Sequence, residues 1–572
     1  MECACRKVQP SFESPIDSRC GKYRSPLGSH TSIKSDYTLG QVALNLSTEQ
    51  STTHKSTSHF NTSSRALQSA WITASLLFVF ITLYPIFGGI IVTNDDLKFV
   101  RGEDAVGSLS DIVRSAWLHS KSFRPLELIV ASMCDATTLQ CWIVVPIQLL
   151  GLLTVAAGIL SMSKRILPHS PIAPPLILIW VFLSPSTMSS LWQMDTCSQT
   201  WSAALGLWCA ILTWDVFIAS QRGGNIWKEM LALFVIAALG MNIKETFYGW
   251  ICGIALGWTI ASVVCWRKDF RPSLRAALPL IPIVFIPLIA VALRYKFGGL
   301  GAQTNLDGDI TGRYQFSLGE NLLINASVSM FGIFINGPLH LFTDEAASLL
   351  LRAMCPLSGL AAGILLLSAI ALRILHRKSK QEIALGPIFL AAGVCICSLL
   401  ATLALGTVSD MYGFGANIGS GILLVTSVLL LWDPIDGGDQ KMFRALVYCA
   451  AATLCLTGVY GIASRTYQFS MTWQYTRTLN EMVLAHIASL PPVAPDAQPV
   501  IFYFTDSCCT GHTFGQIMIP LNQSMGTESV EVWLNRNYPK QKILFVIGRP
   551  LVIREGIDLV VDCDKLPKRE DW

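Results

Sequence analysis

Charge is what this chain has least of. Only 14% of its 572 residues are charged, where a soluble domain carries nearer a quarter. With 52% hydrophobic residues and a mean hydropathy of +0.48, an ordinary soluble globular protein is excluded. No Cys-x-x-Cys pair occurs among the 17 cysteines, which argues against a zinc site. Several thiols, including Cys209, Cys252, Cys265, Cys395 and Cys397, lie in apolar runs and act as small hydrophobes. No internal repeat is evident. The first 66 residues are too long and too polar for a signal peptide.

What the chain does have is apolar length. About eleven stretches are long and apolar enough to read as transmembrane helices. They run roughly over 68–93, 139–162, 171–185, 199–219, 227–243, 249–266, 276–293, 348–372, 383–406, 416–432 and 445–463. Ahead of them, residues 1–66 form a basic Ser/Thr-rich arm with Arg6, Lys7, Arg19, Lys22 and Arg24, read as disordered and cytoplasmic. With the N-terminus inside, every inner loop is basic: Lys164 and Arg165; Arg222 and Lys228; Arg267, Lys268, Arg271 and Arg275. Arg373, Arg377, Lys378 and Lys380 follow, then Lys441 and Arg444. The stretch "NLLINASVSMFGIFINGPLHLF" (321–342) is nearly long enough to span, but Asn325, Asn336 and Pro338 interrupt it. It reads as an interfacial or re-entrant helix on the outer face, tolerable where it packs on protein.

After Ser464 the apolar runs stop. "PVIFYFT", "KILFVIG" and "IDLVVDC" are short β-branched strands between polar linkers. The expected organisation is therefore a cytoplasmic arm (1–66), an all-α polytopic domain (67–465) and a small extracytoplasmic α/β domain (466–572). In that last part the vicinal Cys508 and Cys509 leave a disulfide to Cys563 open.

The unusual polar residues share one side of this topology. Asn94, Asp95 and Asp96 open the first outer loop, which continues through "SLSDIVRSAWLHS" to "KSFRPLELI" with Arg124. "WQMDTCSQTW" places Asp195 outside, "GMNIKETFYGW" places Lys244 and Glu245 at the outer rim, and "GTVSDMYGFGANIG" adds Tyr412. Singly, each has a plain reading: a solvated acid pair, a snorkelling Arg124, a hairpin turn, a helix N-cap at Asp195. Together they form a ring of acids, bases and aromatics, with Trp117, Trp192, Tyr248 and Trp250 suited to the rim. A carboxylate can deprotonate a sugar hydroxyl or an amine acceptor. Arg and Lys suit a lipid-linked phosphate and can stabilise it as a leaving group. Carboxylates beside a phosphate can also hold a divalent cation.

This layout resembles the GT-C superfamily, integral-membrane glycosyltransferases whose donors are lipid-phosphate-linked sugars. The resemblance spans residues 70–465 in layout and rests on an acidic pair opening the first outer loop, an amphipathic helix after it, and Arg-Pro-Leu before the second span. It lies nearest the bacterial cell-surface glycan enzymes and the protein O-mannosyltransferases. It implies that Asp95 or Asp96 is the catalytic base, that Arg124 binds phosphate, and that Lys244 and Glu245 shape the site. Asn94, Asp195 and Tyr412 complete the substrate-binding set. Relatives often have Arg-Tyr where this chain has Met411-Tyr412, which leaves Arg124 and Lys244 as the main cations. The partners implied are a polyprenyl-phosphate-sugar donor, a glycan, lipid or protein acceptor and the lipid bilayer, with no nucleic acid. The cofactor is none or a divalent cation (Mg or Mn), and the location is a bacterial inner (plasma) membrane. A transporter or flippase is the alternative; such proteins place ionisable groups near the midplane and show repeat symmetry.

Overall fold

The computed structural model describes Ser69, residues 90–91, 126, 129–130, 133, 140–168, 170–191, 197–221, 224–244 and 246–265. It also describes 277–298, 326, 328–336, 385–399, 411–432, 438–491, 498–504, 542–547 and 552–561. The chain divides into two units, Met1–Ser63 and Ser64–Trp572, and every described residue lies in the second. The basic arm and the apolar stretch at 348–372 lie outside the described residues.

A two-residue antiparallel pair, β1 (Ile90–Ile91) with β2 (Gln140–Cys141), precedes the helices. Then come α1 (Val144–Ile166), α2 (Ala173–Phe182), the short α3 (Pro185–Ser189), α4 (Cys197–Gln221) and α5 (Trp227–Gly240). They are followed by α6 (Thr246–Cys265), α7 (Leu280–Gly298), α8 (Ile333–Asn336), α9 (Leu385–Ser398), α10 (Phe414–Trp432) and α11 (Gly438–Ser489). Stretches in α1, α4 and α11 (Val144–Ile166, Cys197–Ser220 and Ala445–Ser464) are long and apolar enough to cross a membrane by length and composition. Shorter apolar runs occur in α2, α7, α9 and α10. Large apolar side chains stand exposed along α5, α7 and α11: Leu231, Phe234, Phe285, Leu288, Leu446 and Leu456 among them. Such a surface is stable only in lipid. The chain is a helical integral membrane protein.

The packing follows small residues and indoles. On α1, Gly151 and Gly158 face α4, so Trp201 and Trp208 reach over them, and their Nε1 atoms donate to the carbonyls of Ile147 (3.1 Å) and Thr154 (3.2 Å). At the far end Arg165 forks onto Asp215, with Nε–Oδ1 at 2.8 Å and Nη2–Oδ2 at 2.6 Å. Partners advance together along both helices, so α1 and α4 run parallel, as the single crossing α2 between them requires. Arg165, read from sequence as a loop charge, sits in the last turn of α1. It caps the seam.

Helices α6 and α9 pack more tightly still. Gly249, Gly253 and Gly257, four apart on α6, meet Cys397, Val394 and Leu390 in that order, which makes the pair antiparallel. An antiparallel pair requires an even number of crossings between Cys265 and Leu385. Helix α7 with one further span satisfies this, whereas counting 321–342 as another does not. The described part of that stretch bears on this directly. Val328, Ser329, Phe331 and Ile333 are buried, and Gly332 touches Ser184 and Pro185 at the end of α2. A polar stretch that would be costly in lipid packs here on protein.

Hydropathy drops at Ser464, but α11 does not stop there; it runs unbroken for 52 residues to Ser489, about 78 Å at helical rise. Beyond it, β3 (Val500–Phe504), β4 (Ile543–Ile547) and β5 (Leu559–Val561) form a parallel sheet in the order β4-β3-β5. These are the three strands expected from their β-branched runs. Val500, Phe502, Ile543 and Val561 are buried, as are Val483, Ile487 and Leu490 near the end of α11. His486 Nε2 donates to the Ile557 carbonyl at 2.8 Å, and its ring meets Phe502 edge-on.

Asp558 stitches the turn before β5 to the central strand. Its Oδ1 accepts from the Ile501 N–H at 3.0 Å and from Arg554 Nη2 at 2.6 Å; its Oδ2 accepts from the Arg554 N–H and Nε, both at 3.0 Å. The Arg554 side-chain bonds, helped by the two backbone N–H groups, hold the carboxyl down at about 2 against the opposing effect of burial. A lowered folded pKa adds stability that is full above the unfolded value, near 4, and is lost as pH falls through about 2. Asp558→Asn is expected to cost the sheet about 2 kcal/mol. Amide exchange of Val500–Phe504 at neutral pH should speed up roughly thirtyfold. Unchanged exchange would show that the pair contributes nothing.

Candidate functional site

One end of the bundle gathers the starts of α1, α4, α6 and α10 and the ends of α2, α5 and α9. Hydrogen bonds tie these together. Gln148 Nε2 donates to the Ser190 carbonyl (2.5 Å), and Thr200 Oγ1 donates to Ser190 Oγ (3.2 Å). Ser190 Oγ donates to the Thr187 carbonyl (2.7 Å). The Val181 carbonyl accepts from Thr187 Oγ1 (2.5 Å) and Asn417 Nδ2 (3.2 Å). Ser420 Oγ accepts from Trp180 Nε1 (3.3 Å) and donates to the Met330 carbonyl (2.6 Å). Thr246 Oγ1 donates to Ser202 Oγ (3.1 Å). This polar layer threads α1, α2, α3, α4, α6, α10 and the helical residues 328–331.

The layer is not closed on itself. Among the described residues, Gln148 Oε1, Ser186 Oγ, Gln199 Nε2, Ser329 Oγ, Ser398 Oγ and Asn417 Oδ1 are buried with no protein partner. Buried polar atoms of this kind are completed by water or by a ligand's hydroxyls. Donors and acceptors are mixed and uncharged, which suits a neutral polyhydroxylated group. The sequence reading missed this layer. Its trace is the density of small polar residues in "SPSTMSS" and "CSQTWS", which apolar neighbours outweigh in a hydropathy window.

Two of the expected site residues are described. Lys244 closes the turn between α5 and α6, and its side chain is fully buried rather than displayed at a rim. Its carbonyl accepts from the Phe247 N–H at 3.1 Å. Phe247 is itself buried against Gly240, which holds the turn tight. Tyr412 is half-buried in a single 3₁₀ turn, Met411–Gly413, that leads into α10; the next residue, Gly413, abuts Ser329. Asn94, Asp95, Asp96, Arg124, Asp195 and Glu245 lie outside the described residues, as do Trp117 and Trp192. Their flanks do not: β1 stops three residues before Asn94, Leu191 sits four before Asp195, and Leu126 two after Arg124.

Trp250, expected at the rim, is instead core. Only 3% of it is exposed, because Gly206 and Gly415 leave room for its ring.

Near the α5–α6 turn there is an apolar cavity of about 260 Å³, of which Lys244 is not itself a wall. Leu126, Val130, Ile147, Trp201, Leu239 and Ile243 are among its walls. Ile243 is the residue before Lys244. The Leu126 N–H donates to the Asn242 carbonyl at 3.3 Å, so the segment after Arg124 is docked on the turn that carries Lys244. Cavities of 150 Å³ admit benzene, so this one has room for about one or two five-carbon isoprenyl units. Among the described residues no cluster of three metal-ligating side chains occurs.

The chain matches no protein-family model and no curated protein sequence. Among solved structures, it is similar to the crystal structure of ArnT from Cupriavidus metallidurans in the apo state, at 12% identity and a TM-score of 0.43, over 76% of this chain and 82% of that one. It is also similar to ArnT from the same organism bound to undecaprenyl phosphate, at 13% identity and a TM-score of 0.42, over 87% and 91%. Identities and scores at this level transfer neither a substrate nor a residue role.

Proposed function

We propose that the chain is a membrane glycosyltransferase that moves a sugar from a polyprenyl-phosphate-linked donor to a cell-envelope acceptor on the outer side of the membrane. One observation carries the reading: Lys244 is fully buried, and the residue before it, Ile243, is a wall of an apolar cavity at the end of the bundle that also holds the polar layer. A cation near an apolar slot fits a phosphate on a hydrocarbon chain. In this reading Asp95 or Asp96 takes the proton of the acceptor hydroxyl or amine. The acceptor attacks the sugar's anomeric carbon, and the lipid phosphate departs with the bonding pair, its charge met by Arg124 and Lys244. Asn94, Asp195, Glu245 and Tyr412 contact the sugar or support the acids. A divalent cation (Mg or Mn), if used, belongs with Asp95 and Asp96.

Arg124→Lys tests the phosphate role. It keeps the charge but loses the planar two-pronged geometry, so kcat/KM for the donor should fall by about tenfold or more. Wild-type turnover by this variant would remove Arg124 from the site.

A further inference from the structure

We infer that Ser186, Ser329 and Asn417 share one buried water, which pins the helical residues 328–331 and the turn carrying Tyr412 to the break between α2 and α3. The three side chains come from three elements, and each is 0% exposed. Ser186 Oγ, Ser329 Oγ and Asn417 Oδ1 have no protein partner. Their neighbours bring them to one place. Pro185 has no N–H to return to the Val181 carbonyl, so α2 stops and α3 starts afresh, with Ser184 Oγ accepting from the Ser186 N–H at 3.3 Å. The freed Val181 carbonyl takes Thr187 Oγ1, from the residue after Ser186, and Asn417 Nδ2. That leaves Oδ1 as the open end of the Asn417 amide. Helix α3 also packs on the Met411–Gly413 turn, where Ser329 Oγ lies so close to Gly413 that a Cβ has no room. Ser420, three residues beyond Asn417 on the same face of α10, donates to the carbonyl of Met330, the residue after Ser329.

The chemistry selects a neutral hydroxyl. None of the three oxygens carries a charge, so an ion held by them would be uncompensated. Asn417 Oδ1 only accepts, whereas the two serine hydroxyls donate or accept. One water that donates to Asn417 Oδ1 and to one hydroxyl, and accepts from the other, makes three hydrogen bonds, the usual number for a buried water. The surroundings make that water valuable. Trp180 meets Phe331 and Phe334 edge-on at 6.0 and 5.9 Å, and Met188, Val328 and Phe414 are buried. Polar atoms left unpaired in such a setting are costly, and one small ligand removes three penalties at once. Groups with no exposed surface leave no mouth for a substrate, so the occupant is one that enters as the chain folds. The joint is independent of the donor chemistry proposed above.

Ser186→Ala and Ser329→Ala each delete one hydroxyl and no side-chain hydrogen bond between protein groups. In the full-length protein in detergent, each should lower the melting temperature by about 2 °C or more, because the water loses a partner. The drop in the double variant should differ from the sum of the two single drops by about 1 °C or more, since both hydroxyls act through one water. A density map of the wild-type protein at about 2 Å should show a single peak within about 2.6–3.2 Å of all three oxygens. Alanine variants that melt at or above the wild-type temperature overturn the inference, because deleting a dry hydroxyl relieves a penalty. Single drops that add in the double variant overturn the sharing, and so does a map without a common peak.

Discussion

Asp95→Asn and Asp96→Asn are expected to insert and fold as the wild type does, and at least one should lose sugar transfer by about a hundredfold or more, the range for a lost general base. Both replacements keep shape and remove charge. A carboxylate in this role must accept a proton near neutral pH. On the proposed reading, Asp95 is slightly favoured over Asp96 as the base. Ile91 pairs with Gln140 just before α1, and five residues span at most about 17 Å. If both variants retain full transfer activity, the pair is a solvated loop start and the catalytic reading falls.

Helix positions were legible because lipid imposes one rule on every span. Ten to twenty apolar residues between basic or turn-forming punctuation suffice to place α1, α4, α5, α6 and α10 to within a few residues. Hydropathy fails where a helix leaves lipid without breaking, as α11 does at Ser464: main-chain hydrogen bonding continues whatever the side chains are. It also fails inside the bundle. Gln148, Gln199 and Asn417 are invisible in an apolar average, yet they lie in the polar layer. At the site, the sequence grouped Lys244 with the outer polar residues, and the structure adds its burial and a cavity walled by the preceding residue, Ile243. Which element docks on that turn was not readable, because the Leu126–Asn242 bond is made by main chain and leaves no side-chain signature. Trp250 went the other way. An aromatic near a span end suggests the interface, but the glycines that bury it lie on α4 and α10, far away in sequence.

The glycine spacing on α6 was in the sequence all along, as "GWICGIALG", and it underlies the largest stability effect expected of a single substitution. An added Cβ at Gly253 would stand 2.5 Å from Val394 Cα and 2.7 Å from the Gly393 carbonyl oxygen. At Gly257 it would stand 2.8 Å from Leu390 Cα, and at Gly249, 3.0 Å from the Cys397 carbonyl oxygen. These obstacles are backbone, so no rotamer change relieves them. In lipid the two helices are held by close packing and polar contacts rather than by exclusion of water, and a gap opened at Gly253 loosens the whole seam. Gly253→Ala gains up to about 1 kcal/mol of helix propensity, and the clash should still outweigh it and lower the melting temperature. Gly253→Leu should exceed 4 kcal/mol, beyond the ordinary range of single substitutions, and yield no monodisperse protein in detergent. Gly224 is the control: its added Cβ meets nothing nearer than the Ala219 carbonyl oxygen at 3.4 Å, so Gly224→Ala should melt near wild type. A Gly253→Ala protein that melts at or above the wild-type temperature would mean that α6 and α9 do not pack through their glycines. The α6–α9 direction, and with it the even number of crossings between Cys265 and Leu385, would then lose its support.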